Sequence, residues 1–170
     1  WIGTDGGGIN LYEPQTGDFK HFYSTYGDKV VSIAPISEKE LIVSVYTKGL
    51  FLFDTHTGAY RPFLIINDSI NFRQCFYGYI PRAHRVTKNK IYILSKDIWI
   101  YDINNRKFSP IKTDKNYQLP TSVMGYSDEK MSLTMSGNKV FQIINKNDSI
   151  QPLFQIDEKE TITAIDCDGQ

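Results

Sequence analysis

A repeated segment constrains this chain more than any other feature of its sequence. Trp1–Phe22 aligns without a gap with Leu41–Phe63 at an offset of 41 residues, so that Thr16-Gly17 matches Thr57-Gly58. Two weaker copies follow at Ile91–Ile111 and Met131–Leu153, the third at an offset of 48 residues from the second. A period of 41 to 48 residues indicates a solenoid, a propeller or a linear array of repeats.

The unit inside each repeat reads as β-strands. Apolar residues nowhere recur at helical spacing over three turns, which excludes helical repeats. Instead there are short runs of branched and aromatic residues bounded by Gly, Asp-Thr-x-Thr-Gly or Asn-Asn turns. These runs are Leu41–Val45, Leu50–Phe53, Ile91–Leu94 and Ile98–Tyr101. Because they are almost continuously apolar, we expect each sheet to be buried on both faces.

Further strands flank each pair, and four strands in about 42 residues are typical of a β-propeller blade. The flanking strands are Asp18–Phe22, Val30–Ala34, Tyr60–Phe63, Ser122–Tyr126 and Ile162–Ile165. We therefore predict an all-β fold, in which residues 1–170 form a propeller segment of about four blades with four antiparallel strands each. The predicted parts are a partial blade (1–22), a blade (30–63), a blade (64–111) with a long insertion (64–85), a blade (122–153), and the first strand of the next blade (162–170).

The sequence is compatible with two arrangements of this segment. The chain forms an arc of a larger ring, or Ile162–Ile165 pairs with Trp1–Phe22 and closes a ring of four blades. An open arc leaves a blade face and a strand edge bare, and such edges associate with other chains. We therefore expect contacts with the remaining blades of a longer protein or with a second copy in a homodimer. The first residue, Trp1, with no Met and no signal peptide, also favours a piece of a longer protein.

Composition excludes several classes of protein. The 19 basic and 19 acidic residues balance, which argues against nucleic acid as a partner of the whole chain. An aromatic content of 14% argues against disorder. Cys75 and Cys167 are too few for a disulfide scaffold, and no His or Cys spacing fits a metal site, so we predict no cofactor and no metal.

The first repeat resembles a known family. The segment WIGTDGGGINLYEPQTGDF, Trp1–Phe19, is similar to the two-component-regulator propeller repeat, W-I-G-T-x-x-G-G-L-x-x-Y-D-x-x-T-G-x-F. The resemblance implies the periplasmic sensor region of a Bacteroides-type hybrid two-component system, anchored in the inner membrane. It further implies two propellers and a β-sandwich before a membrane span, histidine kinase and receiver domains beyond it, and sensing of oligosaccharides.

One connection between repeats differs from the others in length and charge. The spans are 18 residues from Phe22 to Glu40 and 19 from Ile111 to Lys130, but 27 from Phe63 to Lys90. Between Ser69 and Lys96 there is no Asp or Glu, whereas six Lys and Arg residues occur. In a propeller, such connections lie on the face that commonly holds ligands. The extra residues therefore predict a basic, aromatic ligand site.

The candidate site residues combine two kinds of chemistry. Tyrosine rings stack on sugar rings and hydrogen-bond their hydroxyls, whereas guanidinium groups bind carboxylate or sulfate, as in acidic sugars. The predicted ligand-binding residues are Arg73, Tyr77, Tyr79, Arg82, His84 and Arg85. The alternative is structural: the aromatic residues fill the interface between blades, and the arginines lie on an ordinary surface loop.

No motif points to catalysis, so we predict no catalytic residues and no enzymatic activity for this segment; a histidine kinase activity belongs to the full-length protein by resemblance only. We predict a periplasmic oligosaccharide sensor that signals across the membrane. The alternative is a propeller scaffold that binds other proteins and takes no small ligand. Clustered aromatic and Arg side chains on one face would favour the sensor, and an exposed apolar patch would favour the scaffold.

Overall fold

The chain is built of antiparallel β-sheets. The computed structural model describes residues 1–63, 80–95, 97–111, 122–125, 131–136, 138–144, 146–160 and 162. Within these residues fifteen strands form four sheets, and there is no helix. A helix long and apolar enough to cross a membrane is therefore also absent from this part of the chain. The predicted all-β class is confirmed.

The first compact unit, Trp1–Ala83, contains two complete sheets. The first sheet has three strands in sequential order: β1 (Ile2–Gly3), β2 (Ile9–Glu13) and β3 (Asp18–Phe22). The second sheet has four strands, also in sequential order: β4 (Val30–Pro35), β5 (Glu40–Val45), β6 (Gly49–Asp54) and β7 (Tyr60–Pro62). The first sheet thus has three of the four strands of a repeat, as the alignment predicts.

The third and fourth sheets follow in the chain, and the second compact unit is His84–Gln170. The third sheet consists of β8 (Arg82–Arg85), β9 (Lys90–Leu94), β10 (Ile98–Asp102) and β11 (Lys107–Pro110). The fourth consists of β12 (Ser122–Gly125), β13 (Met131–Ser136), β14 (Lys139–Ile144) and β15 (Ser149–Gln155). The predicted strands lie within a residue or two of these, except Ile162–Ile165, which lies almost wholly outside the described residues. Strand β8, at the end of the predicted insertion, was not expected.

Side-chain caps explain why the repeats turn where they do. The Asp54 carboxylate accepts hydrogen bonds from the backbone N–H groups of His56 and Thr57, at 2.9 and 2.8 Å. These bonds, the one from Thr57 first, lower the pKa of Asp54. In the third sheet the Asp102 carboxylate accepts in the same way from the N–H of Asn105, at 3.0 Å. An Asp at the end of the third strand of the repeat therefore starts the turn to the fourth.

An apolar interface joins the first two sheets. Ile9 and Phe22 of the first sheet pack against Leu41, Val43, Val45, Phe51 and Phe53 of the second. The ring of Phe53 makes edge contacts with Phe22 and Trp1, both at 5.3 Å between centroids. Strand β5 is buried on both faces from Leu41 to Val45, as its continuous apolar sequence predicts. Each such side chain contributes about 1.5–3 kcal/mol when it is fully buried.

The second unit has its own core and one polar contact within it. Val86, Tyr92, Leu94, Ile98, Ile100 and Ile111 pack with Ile143 of the fourth sheet. The fully buried Tyr92 donates its hydroxyl to Asp148 at 3.2 Å, and the Lys90 ammonium lies 2.5 Å from the same carboxylate oxygen. Burial, followed by the nearby Asp148 charge, raises the pKa of Tyr92. This contact ties the third sheet to a turn of the fourth.

The equivalent turns of the first two repeats offer a matched test of the sheet interface. Gly17 and Gly58 have positive φ angles of 79° and 75°, but only a Cβ at Gly58 would meet the Phe22 ring, at 2.7 Å. Both alanine variants strain the backbone by about 1–2 kcal/mol. We predict that Gly58→Ala costs a further 1–3 kcal/mol, roughly the penalty of overpacking a core. Equilibrium denaturation of both variants measures the difference, and equal losses would show that Phe22 moves aside freely.

Tyr60 gives a pH-dependent prediction. Its hydroxyl is buried with no hydrogen-bond partner among the described residues, and desolvation, followed by the charge of Asp28, raises its pKa to about 12. In the unfolded chain the Tyr60 hydroxyl ionises near pH 10. The stability that neutral Tyr60 contributes is therefore present below pH 10 and is lost between about pH 10 and 12. Tyr60→Phe cannot ionise, so we expect its denaturation midpoint to fall less than that of the wild type over this range. A constant difference between the two proteins from pH 7 to 12 would contradict this assignment.

Candidate functional site

The predicted ligand-binding residues fall into two groups. Arg73, Tyr77 and Tyr79 lie outside the described residues. Arg82, His84 and Arg85 are described, and all three lie on β8, so they belong to a strand and not to a loop. Along β8, Arg82 is exposed, Ala83 is buried, and His84 and Arg85 are half-buried.

Two serines of the second sheet hold the residues that lead into β8. Ser44, which is fully buried on β5, donates its hydroxyl to the carbonyl oxygen of Pro81. The backbone N–H of Ala83 donates to the hydroxyl oxygen of Ser32 at 2.8 Å. The end of the insertion is thus fixed by hydrogen bonds on either side of Arg82. Arg82 itself is exposed, so its guanidinium is carried on a rigid segment that faces solvent.

Arg85 takes part in a structural contact. Its Nε donates to the carbonyl of Thr87 at 2.7 Å, and a second guanidinium nitrogen donates to the carbonyl of Lys88. Both acceptors are backbone carbonyls of the residues that follow β8. Arg85 therefore stabilises the turn between β8 and β9.

The charge of this region is partly neutralised within the fold. The Lys90 ammonium pairs with Asp148, whose side chain is about 29% exposed. Arg82 and Lys88 are exposed cations on the described part of the basic stretch. Exposed basic side chains therefore lie at the start of β8, at Arg82, and in the turn that follows the strand, at Lys88.

A second candidate site lies on the first sheet. An open hollow of about 440 Å³ is lined by Ile2, Thr4, Gly7, Asn10, Phe19, His21 and Tyr23. In the hollow, His21 Nδ1 is hydrogen-bonded to the side-chain oxygen of Asn10, and Asn10 Nδ2 donates to the carbonyl of Ile2 at 3.4 Å. Asn10 is only 4% exposed, whereas Tyr23 is 71% exposed. The hollow thus has a polar floor between aromatic walls.

Sequence reasoning missed the Asn10–His21 pair. In the sequence His21 has no metal-ligand spacing, and no group of three or more His, Cys, Asp or Glu side chains able to hold a metal occurs in the described part of the chain. The available signal was the repeat itself. At an offset of 41 residues, Asn10 stands where the second copy has Phe51, and His21 where it has Pro62.

Comparison of sequences alone gives no relative: no protein-family model matches the chain, and no curated protein is significantly similar to it. Comparison of folds, by contrast, finds solved structures that resemble the chain. The chain superposes on the extracellular domain of B. thetaiotaomicron BT4673, described as a hybrid two-component system, with a TM-score of 0.67 over 91% of this chain at 16% identity. It superposes on the extracellular domain of BT3049, described in the same way, with a TM-score of 0.62 over 89% of this chain at 16% identity.

A further structure of the BT4673 extracellular domain, there described as a one-component system, gives a TM-score of 0.61 over 94% of this chain at 17% identity. The chain spans about a fifth of the length of these domains: 20%, 21% and 22% respectively. At such low identity the likeness establishes the fold. The chain has the fold of one part of these large extracellular domains.

The hydrogen bonds of Ser44 to Pro81 and of Ala83 to Ser32 give a prediction for the site. Ser44→Ala leaves the buried carbonyl of Pro81 without its donor, which costs about 1–3 kcal/mol. We expect the amide of Ala83 to exchange its hydrogen faster in this variant, because the bond to Ser32 depends on the same segment staying in place. The matched control is Ser37→Ala, at an exposed turn where the hydroxyl accepts from the Lys39 N–H at 3.2 Å, and it should cost under about 0.5 kcal/mol. Equal exchange rates at Ala83 in both variants would refute the anchoring role.

Proposed function

We propose that this chain is part of a β-propeller in the periplasmic ligand-sensing region of a hybrid two-component sensor, and that it takes part in detecting oligosaccharides. The observation that carries the proposal is the fold shared over about nine-tenths of the chain with the extracellular domains of two such systems. The WIGT repeat at Trp1–Phe19 supports the same family independently, because it is a sequence pattern and not a fold likeness. In this proposal each sheet is one blade.

The proposed ligand contact is at the insertion and β8. Arg82 is an exposed guanidinium on a segment that Ser32 and Ser44 hold in place, and a preorganised fork of donors binds a carboxylate or sulfate without a large loss of side-chain entropy. Basic residues occur without any Asp or Glu between Ser69 and Lys96, and a local excess of positive charge attracts an anionic ligand. The ligand class proposed is therefore an oligosaccharide that includes acidic sugars.

The proposed signal is a shift in geometry. A ligand changes the equilibrium between two arrangements of a receptor only if it binds one of them more tightly. Contacts from the insertion to a sugar would favour one arrangement of the propeller against its neighbouring domains, or of two copies in a homodimer. The kinase reaction itself would take place in domains beyond these residues.

A thermal-shift screen of the complete extracellular region tests the proposal. The panel contains neutral, uronic-acid and sulfated oligosaccharides. A ligand at a hundredfold excess over its dissociation constant stabilises the folded state by about 2.7 kcal/mol, so the melting temperature rises with ligand concentration. We expect the acidic members to give the rise, and we expect high salt to reduce it.

Paired variants locate the site. Arg82→Ala combined with Tyr79→Ala should abolish the shift and leave the melting temperature without ligand unchanged. The control is Arg61→Ala, an exposed arginine that pairs with Glu40 on the surface of the second sheet, and it should keep the shift. A shift that survives the double substitution would retain the sensor function and refute this site.

The protein-interaction scaffold is the second candidate. Its support is the exposed apolar side chains of the first sheet, among them Phe19 and Tyr23 at 52% and 71% exposure. If no oligosaccharide in the panel raises the melting temperature, the scaffold becomes the better proposal.

A further inference from the structure

Three of the four sheets repeat the same cross-strand pair. In each, an aromatic residue on the third strand of the repeat lies directly opposite a proline on the fourth. The pairs are Phe51 with Pro62, Trp99 with Pro110, and Phe141 with Pro152. The three aromatic side chains are buried, at 5%, 8% and 5% exposure. This position of the repeat is therefore normally apolar and covered.

The first sheet replaces the apolar pair with a polar one. In the same register Asn10 lies opposite His21. The Asn10 oxygen accepts from His21 Nδ1, and the Asn10 amide donates to the carbonyl of Ile2. With its proton on Nδ1, the neutral imidazole keeps Nε2 as a hydrogen-bond acceptor. The Asn10 oxygen and His21 Nδ1 are thus paired with each other, and His21 Nε2 is an acceptor on the exposed side of the sheet.

The face that carries this pair is exposed. Alternation along β3 places Phe19 and His21 on one side, and the cross-strand register adds Tyr12 and Asn10 to it. Tyr23, which follows the strand, lines the same hollow as Phe19 and His21. The large side chains of this outer face, Ile2, Tyr12, Phe19 and Tyr23, are 40% to 71% exposed. Large aromatic side chains gathered on one sheet face indicate a surface that another element covers.

The second sheet shows what covers such a face. Its equivalent residues include Val43, Phe51 and Phe53, all at or below 5% exposure. They are closed by the opposite face of the first sheet, through Ile9 and Phe22. One repetition of this interface would close the outer face of the first sheet in the same way.

We propose that the outer face of the first sheet is the docking surface for one more sheet of the same repeat, from the same polypeptide, and that this sheet presents a hydrogen-bond donor to His21 Nε2. The proposal rests on the proposed propeller and adds the chemistry of one of its junctions. A sheet with only apolar side chains there would bury the imidazole acceptor unpaired, which disfavours the wrong partner. The Asn10–His21 pair is therefore a specificity-determining contact.

Hydroxyl-radical footprinting of the 170-residue chain and of the complete protein tests the docking surface. In the complete protein, Tyr12, Phe19 and Tyr23 should lose their labelling and react as slowly as the fully buried Tyr92. Tyr46, which is 41% exposed and follows β5 of the second sheet, is the internal control. Equal labelling in both samples would overturn the proposal.

Two other results would also overturn it. Protection that appears in the 170-residue chain only as its concentration rises would assign the face to a second copy. Protection that appears only when an oligosaccharide is added would assign the hollow to a ligand. A negative glycan screen, by contrast, would leave the docking proposal standing, so the two proposals fail separately.

Substitutions at the polar pair test its role. Asn10→Phe with His21→Pro installs the pair that the other three sheets carry, so we expect the 170-residue chain to keep its circular dichroism spectrum and melting temperature. In the complete protein the same change removes the acceptor, and labelling of Phe19 and Tyr23 should return. The single variant His21→Gln, which retains an acceptor oxygen, should keep Phe19 and Tyr23 of the complete protein protected from labelling. If the apolar pair protects the face as well as the native pair, the specificity role is wrong.

Discussion

The packing of one sheet face against the next underlies the rest of this structure. A single sheet of three or four strands exposes two faces, and a repeat of about 42 residues has no other layer with which to cover them. Phe22 and Phe53 show how the problem is solved: their rings meet edge to face across two sheets, at 5.3 Å. The first two sheets also approach closely at Gly3. A Cβ added there would lie 2.6 Å from the Val30 side chain, so a larger residue would not fit without a shift. Every repeat therefore needs a neighbour.

The same constraint separates the residues that hold the fold from those free to bind. Strand interiors such as Leu41–Val45 are buried on both faces and have no side chain left for a ligand. Binding chemistry is then confined to the connections between sheets and to uncovered faces. The basic insertion belongs to the first kind, and its last residues are held by Ser32 and Ser44. The Asn10–His21 pair belongs to the second.

Much of the fold could be predicted because its signals are local. The strands around Phe51, Tyr92 and Ile100 are read from continuous runs of branched and aromatic residues, and their turns from Asp, Asn and Gly. Strand β8 could not be predicted because Arg82–Arg85 has no such signal. Its conformation comes from pairing with β9 and from the hydrogen bond between the Ala83 N–H and the Ser32 hydroxyl. Of the predicted site, Arg82, His84 and Arg85 are brought together on one strand, and Arg85 is partly engaged in a turn. Ligand contact by the six residues stays a prediction.

The sequence by itself determined the kind of element: a strand repeat with an offset of 41 residues, its turns, and one connection that is longer and more basic than the others. These properties depend on residues close together in the chain, so they can be predicted without knowledge of the tertiary contacts. Only the tertiary structure decided the meaning of single positions. His21 is one histidine on a strand until the register places it opposite Asn10, where three other sheets pair an aromatic residue with proline. The burial of a side chain and its hydrogen-bond partners depend on residues distant in sequence. Only the tertiary structure therefore distinguishes a side chain of the core from one on an exposed face.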